Sequence, residues 1–362
     1  MGIVSYGGDP QIVATRAEIE RIQAGLASVG NLLDGEVELS DFLISPLKRI
    51  GLAMELPAVQ ERIRYLLQAL DAAANEYFHG EALVARELTD LGLISAPIIA
   101  SGLIGLANEV GMFREHRVKV TQVDRFWRQA PSGLAGLGQR LAELTAPGQP
   151  SGQVVIERYG TKFVAYVPGT QTWNPIGLGN PIDLTSNLQA MKGQGLAASE
   201  IGVRQALAEA IGAAGVGANA SILLVGHSQG GMVGANIALN DKRVKGLVTF
   251  GAPVSQLAEQ LKVPTVAIQH KNDIVPKLGL KANPLVQNMV TVERVMPIST
   301  PVAAILEAHD IQNYAKTAEL ADKSQEIGLK RVREQVLAFV PQAGIGVQEV
   351  GETFLFRLER VD

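Results

Sequence analysis

Apolar positions follow two different rhythms along the chain. From Pro10 onward, Ile12, Thr15, Ile19, Ile22, Leu26, Val29 and Leu33 recur at alternating steps of three and four, with Thr15 adding a methyl group to the stripe. Val59, Ile63, Leu66, Leu70, Ala73 and Tyr77 repeat that spacing. Each stripe is one face of a helix that must be buried against another, so residues 1–145 read as a helical bundle or hairpin domain. Asp9-Pro10 suits the start of the first helix, a cap followed by a residue whose fixed φ fits the first turn. Leu134, Leu137, Leu141 and Leu144 predict a further short helix. Residues 113–127 read either way, because Val118 and Val120 alternate like a strand.

Residues 145–152 hold two prolines and two glycines among polar neighbours and read as a linker. Beyond them the rhythm changes. Residues 154–159, 162–167, 221–225, 244–250 and 265–269 are short apolar runs that predict strands, the first two joined by a turn at Gly160-Thr161. Helices are predicted over 200–214, 231–239, 303–321 and 327–339, with an extended segment over 347–358. Strands alternating with helices predict the α/β class, a doubly wound and mostly parallel sheet over 153–362, preceded by the all-helical domain.

Composition narrows the functions open to such a chain. It has 362 residues, 47% hydrophobic and 19% charged, enough to build sizeable cores in two domains. A net charge of −4 without basic clusters gives no reason to expect nucleic acid as a partner. Zero cysteines exclude a thiol nucleophile, disulfides and cysteine-ligated metal. The first ten residues lack the basic and apolar regions of a secretory signal peptide, so the compartment stays open. Residues 91–108 carry no charge but include Pro97 and Gly92, Gly102 and Gly105; they read as a buried or partner-facing segment, with membrane-surface contact as the alternative.

The chemistry concentrates at Gly226-His227-Ser228-Gln229-Gly230, between a predicted strand and a predicted helix. G-x-S-x-G in that setting is a nucleophile elbow, a turn so tight that the positions flanking the serine have to be glycine. A serine hydroxyl near neutral pH needs a histidine base, itself oriented by a carboxylate, in the chain order Ser, acid, His. Of five histidines, His79 and His116 lie in the helical half and His227 sits in the elbow, its side chain directed away from the serine. His270 closes a strand and precedes the acid loop, which leaves His309 as the base. Asp273, on the loop after that strand, suits the acid better than Asp241, Glu259, Glu293 or Glu307. The oxyanion formed on attack needs two donors. The backbone N–H of Gln229 is one; Pro168-Gly169-Thr170-Gln171 supplies the other, with Thr170 preferred and Gly169 and Gln171 as alternatives. No cofactor or metal enters this scheme.

Taken together, these segments resemble the class 3 lipase group of α/β-hydrolases over roughly residues 150–320. Val167-Pro-Gly-Thr170 with Trp173 is similar to that group's oxyanion strand. Thr249-Phe-Gly-Ala-Pro253, Asp273-Ile-Val-Pro276 and His309 with Tyr314 are similar to its strand end, acid loop and histidine segment. Gly226-His-Ser-Gln-Gly-Gly231 is similar to its elbow, except that Gln229 stands where that group more often has Leu and is similar to cutinase-like enzymes. The resemblance implies a serine esterase or lipase acting on a small-molecule or lipid ester; thioesterase, phospholipase and peptidase activities stay open. The apolar residues 278–286 and 173–178 would wall the acyl pocket. In the helical half, Tyr77-Phe-His-Gly-Glu81 after paired helices is similar to the Tyr-x-x-x-Asp/Glu signal of type VII secretion substrates. That likeness implies a helical partner or secretion machinery engaging residues 1–145, with the hydrolase as exported cargo.

Overall fold

A computed structural model describes the protein at residues 2–8, 61, 117–169, 198–273, 275–279, 282–296, 307–341 and 350–361. The chain divides into two compact units: Pro10–Leu83, and Met1–Asp9 together with Val84–Asp362. Among the described residues only Glu61, in a helix, belongs to the first.

The second unit is built on one nine-stranded sheet. In chain order its strands are β1 (Val4–Gly7), β2 (Arg117–Gln129), β3 (Gln153–Tyr159), β4 (Lys162–Val167), β5 (Ser221–His227), β6 (Val244–Phe250), β7 (Thr265–His270), β8 (Met289–Arg294) and β9 (Val350–Val361). They lie side by side as β1-β8-β7-β6-β5-β4-β3-β9-β2. The five strands β4 to β8 run parallel. Antiparallel strands flank them, β1 on β8 at one edge and β3, β9 and β2 at the other.

The parallel strands are apolar on both faces, as a sheet covered on two sides requires. In β5, Ile222 and Leu224 join one core while Leu223 and Val225 join the other. The first core is completed by α2 (Ala198–Ala213) and α3 (Gln229–Asn240). The second lies beneath α1 (Gly133–Leu144), α4 (Ile311–Lys323) and α5 (Ile327–Leu337). Helices on both faces of a largely parallel sheet, with the elbow serine at the carboxyl end of a central strand, fit the α/β-hydrolase fold.

The expected break at 145–153 is corrected by this arrangement. β2 pairs along most of its length with β9, and Leu134, Leu137 and Leu141 of α1 are fully buried in the second core. The segment 117–144 therefore belongs to the sheet unit, because a leucine stripe covers a sheet as well as it covers another helix. β1, at the chain's start, likewise pairs with β8 instead of opening a helical domain. The helical reading of 10–60 and 62–116, including residues 91–108, falls outside the described residues. Among those described, no helix is long and apolar enough to cross a membrane.

Candidate active site

β5 runs apolar to its end and then turns sharply into α3. Among the described residues Ser228 alone outside glycine has a positive φ, 51°. Its ψ is −122°, so the backbone is neither helical nor extended there and the strain is localised on the serine. The two flanking glycines make that turn sterically feasible. A Cβ on Gly226 would lie 2.3 Å from the carbonyl carbon of Gly230, and one on Gly230 would lie 2.0 Å from the carbonyl oxygen of Val167. Both obstacles are backbone and cannot swing aside. Ser228 N–H donates to the Phe250 carbonyl at 2.8 Å, fastening the turn to β6. The serine occupies the N-cap position of α3, yet its side chain caps no backbone N–H.

Asp273 and His309, the expected acid and base, come from the loops after β7 and before α4. Asp273 is fully buried and accepts three hydrogen bonds. His309 Nδ1 donates to its Oδ2 at 2.6 Å, the Tyr314 hydroxyl donates to the same oxygen at 2.7 Å, and Val275 N–H donates to Oδ1 at 2.9 Å. With Nδ1–H committed to the carboxylate, Nε2 is the ring's proton acceptor. Burial and the adjacent Asp273 push the Tyr314 phenol well above its usual range, so it stays a donor. Asp241, a rival acid by position, is instead forked onto Arg243, 2.7 Å away.

The elbow and the histidine loop meet through His227. Its Nε2 lies 3.0 Å from the His309 carbonyl, and the two imidazole centroids are 4.8 Å apart. Its side chain is directed to the backbone of His309. Gln229, 1% exposed, opens α3 and brings a backbone N–H to the positive end of that helix beside Ser228. On the other side, Gly169 after β4 is pressed against the elbow: a Cβ there would lie 2.9 Å from Ser228 Cβ. Thr170 and Gln171 fall outside the described residues, as do residues 173–178 of the expected acyl wall. The geometry thus joins Asp273 to His309 and sets Ser228 beside His227.

Sequence reasoning did not assign Tyr314, His227 or His270 a function. His270, set aside as the base in the sequence, is 1% exposed and bonds Ala308 and Thr317. The signal available for it was its place at a strand end level with the elbow. Burial first, and then the neighbouring His309, push the His227 imidazole down to about 3; burial lowers His270 as well. Both rings are therefore neutral in the fold. Below pH 6.5 the unfolded chain takes up protons that folded His227 refuses. Its contribution to stability is full above that pH and is lost as pH falls toward 3. Against a His227→Gln variant, urea unfolding of the wild type should lose up to about 1.4 kcal/mol more per pH unit below 6.5. A pH-independent difference between the two proteins would show that folded His227 takes up its proton over the same pH range as the unfolded chain.

No family model matches the chain, and no curated protein does. Among solved structures it is similar to Trichoderma reesei cutinase in complex with a C11Y4 phosphonate inhibitor, at 15% sequence identity over 64% of this chain and 90% of that one, with a TM-score of 0.25. So loose a likeness carries no argument, and the fold and chemistry of this chain rest on its own strand order and side chains.

Proposed function

We propose that this protein is a serine hydrolase that cleaves carboxylic esters through an acyl-enzyme. Ser228 Oγ bonds to the ester carbonyl carbon as its proton passes to His309 Nε2. The carbonyl oxygen becomes an oxyanion, held by the backbone N–H groups of Gln229 and Thr170. Collapse breaks the ester C–O bond, and the leaving alkoxide takes the proton from His309. Water, deprotonated in turn by His309, attacks the acyl carbon and releases the acid and Ser228. Asp273 holds the imidazole in the productive tautomer and stabilises its charged form.

The observation that carries this reading is the 2.6 Å hydrogen bond from His309 to buried Asp273, with the His309 ring 4.8 Å from that of His227, the chain neighbour of a serine held at φ 51° between two obligatory glycines. Structural ion pairs are common, and strained serines are rare; both in one place favour acyl transfer. The narrower likeness to class 3 lipases rests on the five sequence segments and belongs to this proposal.

Two measurements test it. An alkyl fluorophosphonate is expected to label Ser228 and no other residue, read by peptide mass spectrometry; absence of the label would overturn the reading. A series of p-nitrophenyl esters and phospholipids of increasing chain length is expected to show turnover, with long-chain preference marking a lipase and short-chain preference an esterase.

The alternative of an exported effector gains one observation. Pro10–Leu83 is a compact unit of its own, and it ends just past Tyr77–Glu81. An accessory targeting module would have those bounds. Deleting 10–83, not 1–145, is the variant that tests secretion without removing β1 and β2 from the sheet; unaltered secretion would count against the idea.

A further inference from the structure

We propose that His227 and His270 are positioning residues for His309, two imidazole donors that clamp the consecutive carbonyls of Ala308 and His309 and so fix the backbone on which the base is mounted. The proposal rests on the serine-hydrolase reading for its kinetic consequence, while the clamp itself is a matter of hydrogen bonds.

A carbonyl oxygen only accepts, so each contact assigns a tautomer. His227 Nε2, 3.0 Å from the His309 carbonyl, carries the hydrogen. His270 Nδ1, 2.6 Å from the Ala308 carbonyl, does the same, which leaves its Nε2 to accept from the Thr317 hydroxyl at 2.8 Å. The donors stand at the carboxyl ends of β5 and β7, two of the parallel strands buried on both faces. The acceptors belong to the helical residues 307–309, and that helix breaks at Asp310 before α4 begins.

That break explains why side chains are needed. In α4 the N–H groups of Asn313 and Tyr314 turn to the Asp310 carbonyl, and Gln312 N–H turns to the Asp310 side chain. The carbonyls of Ala308 and His309, just ahead of these, are the ones the helix ladder leaves over, and buried carbonyls need donors. Imidazole fits the task because it is a stiff planar donor with two rotatable bonds. Tyr314 locks the set together. Its ring stacks on His270 at 3.9 Å and 2°, stands edge-on to His309 at 6.4 Å, and sends its hydroxyl to Asp273. Shifting the 308–309 backbone would therefore move His309 relative to Ser228 while leaving Asp273 and the elbow in place.

The test compares donors with shapes at equal volume. His227→Phe keeps a ring and loses the N–H; His227→Gln keeps a donor at the position of Nε2. For a p-nitrophenyl ester, His227→Phe is expected to lower kcat roughly 10–100-fold with KM unchanged. His227→Gln should stay within about threefold of wild type. A second readout needs no substrate: the downfield proton resonance of His309 Nδ1–H, bonded to Asp273, should shift or broaden in His227→Phe and persist in His227→Gln. Equal activity in wild type, Phe and Gln variants would overturn the proposal, and so would equal losses in Phe and Gln. If His227→Phe does not fold, Phe against Asn at His270 decides in the same way, Asn retaining a donor at Nδ1. Ser228→Ala is run alongside. If it hydrolyses the ester as fast as wild type, the hydrolase reading fails on its own account, and the resonance still decides the clamp.

Discussion

Replacing Ser228 with alanine is expected to lower kcat for ester hydrolysis roughly 10⁴–10⁶-fold, and His309→Ala should cost as much. The double variant should be no slower than either single one. Once the nucleophile is gone a base has nothing to deprotonate, and once the base is gone the hydroxyl is a poor nucleophile, so the two losses describe the same missing step. Additive losses, or a Ser228→Ala enzyme with wild-type turnover, would refute the acyl-enzyme mechanism. Asp273→Asn separates orientation from attack. An amide at Asp273 would meet His309 Nδ1 with its own N–H on one side and weaken the bond now 2.6 Å long, at a cost of about 10⁴ in kcat. It would leave Ser228 in the elbow, so fluorophosphonate labelling should slow without disappearing.

The pairing of Asp273 with His309 and the tight turn at Ser228 were legible because each is a local demand: a loop after a strand, a histidine left by elimination, and glycines on both sides of a serine. The parallel strands were legible for a similar reason. A strand buried on both faces is a short apolar run whatever its partners, as β5 to β7 are. What escaped was set by distant partners. β1 is four residues long and exists because Val4 to Gly7 find β8 at the far end of the chain. β2 carries Lys119, Thr121 and Asp124 among its apolar positions, and Trp127 stays 64% exposed. It is a strand because β9 offers a ladder, and its own pattern says little. The leucines of α1 announced a buried helix face correctly but could not say what would cover it. His227 looked like a spacer in the elbow motif; its role comes from a carbonyl supplied by a loop from the other side of the active site.

Glu157→Ala is expected to cost about 3–5 kcal/mol. Glu157 on β3 is fully buried, and four donors converge on its carboxylate. Arg128 of β2 and Arg140 of α1 reach Oε1 at 2.7 and 2.8 Å; the hydroxyls of Tyr159 and Tyr166 reach Oε2 at 2.8 and 2.9 Å. One charge thus fastens β2, α1 and β4 to β3. A buried ion pair adds little over an apolar filling, but removing one partner strands the others. Alanine would leave the two guanidinium groups with half-exposed Glu143 as their remaining carboxylate partner, and two phenols without their acceptor. In thermal unfolding, at about 2–4 °C per kcal/mol for a unit of this size, the midpoint should fall by about 6–20 °C. Burial first, and then Glu157, raise both tyrosines above the usual 10. Unfolded tyrosines ionise above pH 10 while the folded ones do not, so this part of the stability is present below pH 10 and lost as pH rises. Glu157→Gln removes the charge and keeps the shape, so it should soften that alkaline loss while lowering stability at pH 7. A Glu157→Ala protein within about 1 kcal/mol of wild type would show that the arginines swing out to water, and that α1 is held to the sheet by its leucines alone.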